Sequence, residues 1–432
     1  MEPKLYRPPP EVQGMTTLDK EAFTRTITVP ALRVPASVLN KVVKSLKKSA
    51  IHRPGVPRVV QDKDETSGFR LVLLDPYKVS STSCFSESEA GDLRAFGVPE
   101  ELQYYELRLT YHNLKTEEVL EAVLPPGQDV ASGFSRVGHI AHMNLRDHQL
   151  PYKNLIGQVI MDKNPGITCV VNKTNTIDST YRNFKMEVLA GEENMVAKVK
   201  ENGMTYEFDF SRVYWNPRLS TEHHRVVQLV QRGDTVFDVF AGVGPFAVPA
   251  ARAGADVLAN DLNPESYRWL RHNCKLNKVE KKIRTFNLDG RAFIQGPVKQ
   301  ALPALLTAKA SVHVVMNLPS LALDFLDAFR GLLHQEPSGD ESLPMVYCYG
   351  FSKDDDPDTD VVKRASCSLG FPLENQCSAH FVRNVAPNKD MMCVRFTVPR
   401  EVLFGSDREH TETLAEPAPK RQKREEATES TQ

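Results

Sequence analysis

The spacing of apolar and polar positions divides the chain into blocks of different character. Up to about residue 125 one helical period is mixed with strand-like runs. In SVLNKVVKSLKKSA, Val38, Leu39, Val42, Val43 and Leu46 fall on one side at helical spacing, and Lys41, Lys44, Lys47 and Lys48 on the other. That pattern predicts a short amphipathic helix. RLVLLD and YYELRLTYH read as strands, and the turn signal LPPGQD closes the block. A β-rich block follows: VGHIAHMNLR, GITCVVNK, FKMEVLAG, then MVAKVKENGMTYEFDFSRVYW, where Asn202-Gly203 between alternating runs predicts a two-residue hairpin. From about 214 to 400 short apolar runs alternate with helical periods at the spacing of crossover units. This predicts an α/β domain with a mostly parallel, doubly wound sheet. PMVYCYGFS and MMCVRFTVP add an antiparallel pair of strands closing its far edge. The last thirty residues are polar and read as an unstructured tail.

The apolar runs of the α/β block end in polar groups that can be taken in turn. FDVFAGVGPFAVPAA is a buried strand, a glycine-rich turn and a helix opening on proline; DVLANDL ends at Asp261, KIRTFNLDGRAF at Asp289-Gly290 and SVHVVMNLPS at Asn317-Leu318-Pro319. Ligands of open parallel sheets lie outside the carboxyl ends of the strands, so these ends converge on one crevice. Gly242 and Gly244 remove side chains where the backbone must turn and approach a ligand, and Pro245 suits a first helical position. The free N–H groups at that helix start attract a carboxylate or phosphate. Asp261, nineteen residues after Gly242, is placed to accept hydrogen bonds from both hydroxyls of a ribose. NAD and S-adenosylmethionine both carry one. The closing antiparallel strands favour S-adenosylmethionine, because a dehydrogenase sheet tends to continue with βα units.

Composition and charge narrow the class. With 432 residues, 41% hydrophobic and 25% charged, the chain should hold two or three soluble domains. No apolar run approaches the ~20 residues of a membrane-spanning helix, so none is expected. Seven cysteines without CxxC spacing read as reduced thiols, with neither a zinc site nor a disulfide framework. The start MEPKLYRPPPE reads as neither a secretory signal nor a transit peptide in this form. Net charge is −1, yet residues 1–60 hold eleven Lys/Arg against four Asp/Glu, and DDDPDTD at 354–360 forms an acidic loop. The lysine face of the predicted helix reads equally as solvated surface or as a phosphate-binding face. KRQKR at 420–424 reads as a nuclear import signal or a solubilising end.

DVFAGVGPFAVPAA, DLNPE, LDGRAF and MNLPS, in that order, resemble the class I S-adenosylmethionine-dependent methyltransferases. The linker VYWNPRLSTEHHR before them resembles one family, the tRNA guanosine-37 N1-methyltransferases of eukaryotes and archaea. HIAHMNLRDHQLPYKNLIGQVIMDKNP and STYRNFKMEVLAGE are similar to the middle domain of that family. The resemblance covers roughly residues 135 to 400, and the N-terminal part more by position than by motif. It implies a Rossmann-like methyltransferase domain at 214–402, preceded by a basic α+β tRNA-recognition domain at 1–125 and a β-rich middle domain at 126–213, with a tail at 403–432. It further implies S-adenosyl-L-methionine as cofactor, tRNA as partner through its anticodon loop and folded body, no membrane, and a monomer. Location would be cytoplasmic and nuclear, with the mitochondrial matrix open by family analogy.

The chemistry sets what the site must contain. Guanine N1 bears a proton at neutral pH, so methylation there needs a carboxylate near N1 and a cation near O6. On the resemblance, Glu222 in PRLSTEH matches the general base and Arg182 in TYRNF the arginine on O6. Tyr214 and Arg218 match positions lining the guanosine pocket, and Asn317 one that reaches the base turned out of the anticodon loop. His223 matches a cofactor-side position at which some relatives carry arginine. Asp261 matches the ribose ligand, Leu262 packs on the adenine, Asp289 and Gly290 meet its edge, and Gly242 and Gly244 pass the methionine portion. Plainer readings stand beside these: Glu222 as a capping-box acid behind Ser220 or Thr221, Arg182 as an exposed strand arginine, Tyr214 as a half-buried strand aromatic, Asn317 as a turn cap before Pro319. Arg212, Arg218 and Arg225 are expected to meet tRNA phosphates. The other functional readings are a related class I enzyme acting on another tRNA base or in the wybutosine pathway, and a dinucleotide- or RNA-binding scaffold without chemistry.

Overall fold

A computed structural model describes residues 4–64, 67–99, 101–130, 133–177, 184–333 and 342–405. Arg182 and the KRQKR segment lie outside the described residues. The chain forms two compact units, Met1–Lys198 and Val199–Gln432.

The first unit contains two four-stranded sheets. In one, β1 (Arg25–Pro35) is flanked by β3 (Phe69–Leu73) and β4 (Leu102–Leu109), with β2 (Val59–Gln61) outside β3, all antiparallel. Helix α1 (Leu39–Ser45) is the amphipathic segment expected from SVLNKVVKSLKKSA. Val42 and Leu46 are fully buried with Leu32, Val34 and Val72, while Lys41, Lys44, Lys47 and Lys48 are exposed. Helix α2 (Glu87–Ala95) opens with a full capping box, Ser86 with Glu89. The second sheet runs β5 (Ser135–Val137), β6 (Ile140–Met143), β7 (Cys169–Ile177), β8 (Phe184–Gly191), with β6 and β7 parallel. Helix α4 (Lys153–Lys163) covers it with α3 (Thr116–Val123) packed on α4, and one core joining Phe23, Tyr111 and Leu120 to Ile156, Ile160 and Val170 runs across residue 125.

The hairpin β9 (Val196–Glu201) and β10 (Met204–Asp209) begins in the last three residues of the first unit and leads into the second. Asn202 and Gly203 adopt φ +48 and +78, the left-handed pair that a tight hairpin turn requires. Helices α5 (Ser220–Val227), α6 (Ala247–Ala253), α7 (Pro264–Leu276), α8 (Gly290–Phe293), α9 (Lys299–Thr307), α10 (Pro357–Leu369) and α11 (Arg400–Phe404) accompany a seven-stranded sheet. Its strands are β11 (Thr235–Asp238), β12 (Asp256–Asn260), β13 (Ile283–Phe286), β14 (Val312–Met316), β15 (Met345–Ser352), β16 (Cys377–Ala386) and β17 (Lys389–Thr397). The spatial order is β13-β12-β11-β14-β15-β17-β16. The first five are parallel, and β17 is antiparallel to both of its neighbours. Every residue of β11 and β14 is buried, as fits inner strands covered on both faces.

Two expectations are refined. MMCVRFTVP pairs antiparallel with PMVYCYGFS as expected, but it does not close the sheet: the edge is β16, CSAHFVRNVA. Register shifts between Phe381 and Arg383 and between Asn384 and Ala386 break its period, so β16 lacks the continuous alternation by which strands are read. DDDPDTD is a loop only up to Asp356, which caps α10 by accepting from the Thr359 N–H; Pro357 takes the first turn, and Asp358 and Asp360 sit where a helix N-terminus favours negative charge.

Candidate active site

The glycine turn links β11 to α6. Gly242 and Gly244 take left-handed φ values of +55 and +101, and a Cβ on Gly244 would lie 2.8 Å from Val248 and 2.9 Å from Leu270. A Cβ on Gly242 would meet nothing within 4 Å, so the turn is open on that side. The Gly242 N–H donates to Asp261 Oδ2 at 2.8 Å and the Asn263 N–H to Asp261 Oδ1 at 2.9 Å. The Ser266 hydroxyl also bonds to this carboxylate, so of its roughly four acceptor positions about one stays open to a hydroxyl donor. Burial pushes the Asp261 carboxyl up to about 6, against the opposing pull of those two amides and the Ser266 hydroxyl.

Two residues of this wall escape sequence reasoning. Asp238, the last residue of β11, is fully buried, and neither carboxylate oxygen has a hydrogen-bond partner among the described residues. Burial first, and the Asp261 charge second, push it up to about 8, with the Phe240 and Ala247 amides a weaker counter-influence. Asn260, also fully buried, ties three strand ends together. Its side chain donates to Val239 O and Leu288 O and accepts from the Leu288 N–H, while its own carbonyl accepts from the Ala241 N–H. The signal that could find both is a polar residue inside an otherwise apolar strand, since a buried polar side chain persists only when its bonds are made.

Beyond Asp261, Leu262 and Leu288 are exposed at strand ends, and the Asn287 side chain donates to the carbonyls of Asp261 and Leu262. Asp289 caps α8 by accepting from the Arg291 and Ala292 N–H groups. Gly290 is buried, and a Cβ there would lie 2.8 Å from Phe240 and 2.9 Å from Phe325. Asn317 follows β14 with its Oδ1 buried and without a hydrogen-bond partner among the described residues, and Pro319 O accepts from the Phe351 N–H at the end of β15.

The carboxylate expected as base is built differently from a cap. The N-cap of α5 is Leu219, with no side-chain capping bond, so neither Ser220 nor Thr221 caps the helix. Glu222 instead points inward, with its side chain 5% exposed. Arg225, one turn on, grips it with Nε to Oε2 at 2.7 Å and Nη2 to Oε1 at 2.6 Å, and the buried Tyr349 hydroxyl donates to Oε1 at 2.7 Å. Such bidentate, charge-assisted pairs are the strong ones. The hydrogen bond to Glu222 holds the Arg225 guanidinium above its ordinary range, and burial holds the Tyr349 phenol well up. Arg225, expected at a tRNA phosphate, is therefore engaged inside the protein.

Phe246, two residues after Gly244, connects this cluster to the glycine turn. Its ring lies 4.8 Å from that of His223 and 6.2 Å from that of Tyr349. His223 is buried, with Nδ1 2.6 Å from Glu201 Oε1 of β9. Tyr214 and Arg218 stand exposed on the linker before α5, where Asn216 donates to the Tyr214 hydroxyl and accepts from the Arg218 N–H. The strand run that holds Tyr214 in the plainer reading ends at Asp209; Trp215, not Tyr214, is the buried aromatic, packed on Tyr206 and Phe208. Arg212 turns to Asp209 and Glu265. The open side of Gly242, the unpartnered carboxylate of Asp238, the braced Asp261 and the exposed Leu262 and Leu288 fit the charged amino-acid, ribose and adenine parts of S-adenosylmethionine.

A seven-stranded sheet in this order, with one antiparallel strand beside the edge and a glycine turn facing an acid at the first two strand ends, defines the class I methyltransferase architecture. The chain matches the TRM5/TYW2 methyltransferase domain over residues 197–338 and the TYW2 N-terminal domain over 116–194. It belongs to the tRNA (guanine(37)-N(1))-methyltransferase family. The member from Danio rerio is 65% identical over 432 residues, covering 98% of this chain and 90% of the relative. The member from Xenopus tropicalis is 61% identical over 409 residues, covering 93% and 82%. Among solved structures, that of aTrm5 in complex with tRNALeu is similar in fold, with a TM-score of 0.59 and 19% identity over 86% of this chain and all of the other.

Proposed function

We propose that this protein transfers the methyl group of S-adenosylmethionine to N1 of guanosine 37 in tRNA, with Glu222 as the base. The observation that carries the reading is the inward-facing carboxylate of Glu222, fixed by Arg225 and Tyr349 and joined to the glycine turn through Phe246. Near-full-length identity to family members of that activity supports it. The cofactor supplies an electrophilic methyl on a sulfonium. Gly242, Asp261 and Asp238 would bind and orient it, and Leu262 and Leu288 would cover the adenine. Glu222 would take the N1 proton so that the nitrogen lone pair can attack in line, and on the family resemblance Arg182 would stabilise the charge left on O6. Asn317, whose Oδ1 has no partner among the described residues, would accept from the turned-out base.

The lysine face of α1 suits tRNA phosphates, and tRNA as partner is supported by the structure of aTrm5, similar in fold, in complex with tRNALeu. On the resemblance we also place the protein as a monomer in cytoplasm and nucleus, with the mitochondrial matrix open to it. The match of 116–194 to the TYW2 N-terminal domain keeps a wybutosine-pathway activity as a second reading. Mass spectrometry of nucleosides from tRNA with G or A at position 37, after incubation with labelled cofactor, separates the two. N1-methylguanosine from G37 alone supports the first; a different adduct, or transfer to A37, contradicts it.

A further inference from the structure

Glu222 is nearly sheathed in protein, so a proton taken from guanine N1 needs an outlet. Oε1 already accepts two donors, Tyr349 OH and Arg225 Nη2, whereas Oε2 accepts Arg225 Nε and otherwise faces His380 Nε2 at 3.6 Å. Oε2 is thus the oxygen with an acceptor position to spare. His380 comes from the edge strand β16. The register sets it directly opposite Cys393 of β17, which is itself opposite Tyr349 of β15. Directly opposed residues share a face, so the three form one row across the sheet where Glu222 sits. The His380 side chain is 46% exposed and that of Glu222 5%, so the imidazole, just outside hydrogen-bond reach of Oε2, stands between a buried carboxylate and solvent.

We propose that His380 accepts from Glu222 Oε2 the proton removed from guanine N1 and passes it to water. The inference rests on Glu222 being the base. The N1–H bond breaks as Oε2–H forms, and the N1 electron pair bonds to the methyl carbon while the carbon–sulfur pair stays on sulfur. Oε2–H then gives its proton to Nε2, and the imidazolium releases the Nδ1 proton to water. One proton leaves per methyl transferred, and no oxidant or metal is consumed.

The surroundings leave the imidazole this task. Beside it stand Glu222 of α5 and its register partner Cys393 of β17; Arg225 and Tyr349 hold Glu222, and Arg395 of β17 lies opposite Ser378, two residues along β16. Burial pushes the Cys393 thiol up to about 12 and Tyr349 well above the ordinary phenol range, so neither takes part near neutral pH. An imidazole ordinarily binds a proton ~10²-fold more tightly than a carboxylate, so handing the proton on makes its removal from N1 less uphill.

Single-turnover methylation of tRNA by His380→Ala and His380→Gln, across the pH 5 to 8 range in which imidazole titrates, tests this. The rate should fall ~10-fold or more in both, with cofactor and tRNA affinities unchanged. Added imidazole should restore the His380→Ala rate towards wild type and leave Glu222→Gln unaffected. Wild-type rates in both variants, or a loss that imidazole does not restore, would overturn the relay. A Glu222→Gln variant with the wild-type rate would instead overturn the assignment of the base itself.

Discussion

The two walls of this site are assembled in opposite ways. The cofactor wall is short-range in sequence: Gly242 bonds Asp261 nineteen residues later, and Asn260 laces the ends of β11, β12 and β13. The wall around Glu222 is long-range, since its hydroxyl donor Tyr349 lies 127 residues away and His380 is on the opposite edge of the sheet from β13. One wall is written in turns and strand ends, which local spacing specifies. The other depends on which strands α5 lies against, which only the sheet order decides.

Breaking each wall separately should give different losses. The largest concerns the clamp. Arg225→Ala leaves a buried carboxylate with one donor fewer on each oxygen and should lower the single-turnover rate by ~10²-fold, with cofactor affinity moved little. Arg225→Lys, which keeps charge but loses the bidentate grip, should recover only part of that rate. Equal rates in Arg225→Lys and wild type would show that the grip does not position Glu222.

The cofactor wall should respond in binding rather than in rate. Asp261→Ala removes the acceptor for a ribose hydroxyl and should weaken S-adenosylmethionine binding by ~10- to 10²-fold in calorimetry, because a hydrogen bond to a charged group contributes ~1.5–3 kcal/mol. Protonation does the same reversibly. With the Asp261 carboxyl raised to about 6, cofactor affinity should fall as pH drops through that value. The sign for stability is opposite: a carboxyl whose folded value is raised stabilises the ligand-free fold at low pH, and that contribution is lost as pH rises to about 6. A binding constant flat from pH 7 to 5 would place the ribose elsewhere. The smallest effect falls on packing. Gly290→Ala forces a methyl against Phe240 and Phe325 and should cost ~1–3 kcal/mol of stability by thermal or denaturant unfolding.

The same contrast decides how much of the molecule is legible in its sequence. The Asn202-Gly203 hairpin, the glycine turn, the strand ends at Asp261 and Asp289, and α1 are legible, because each is set by local conformational preference or by a period of apolar residues. Edge strand β16 is not, because its bulges interrupt the in-and-out alternation that would betray it. Tyr349 and His380 are invisible as site residues for a related reason: each sits in an ordinary strand, and its chemistry arises from cross-strand register with Cys393. Glu222 is reached only through family resemblance, since sequence alone does not separate it from a capping acid. Its bonds to Arg225 and Tyr349 make that distinction.

The central claim is that Glu222 performs chemistry while the glycine-turn wall performs binding. Its most direct test is the single-turnover rate of methyl transfer to G37 by Glu222→Gln at saturating cofactor, with the S-adenosylmethionine dissociation constant measured on the same preparation. The rate should be lower by at least ~10²-fold, and the dissociation constant should stay within a few-fold of wild type. A wild-type rate, or a rate loss that merely tracks lost cofactor binding, would contradict the claim.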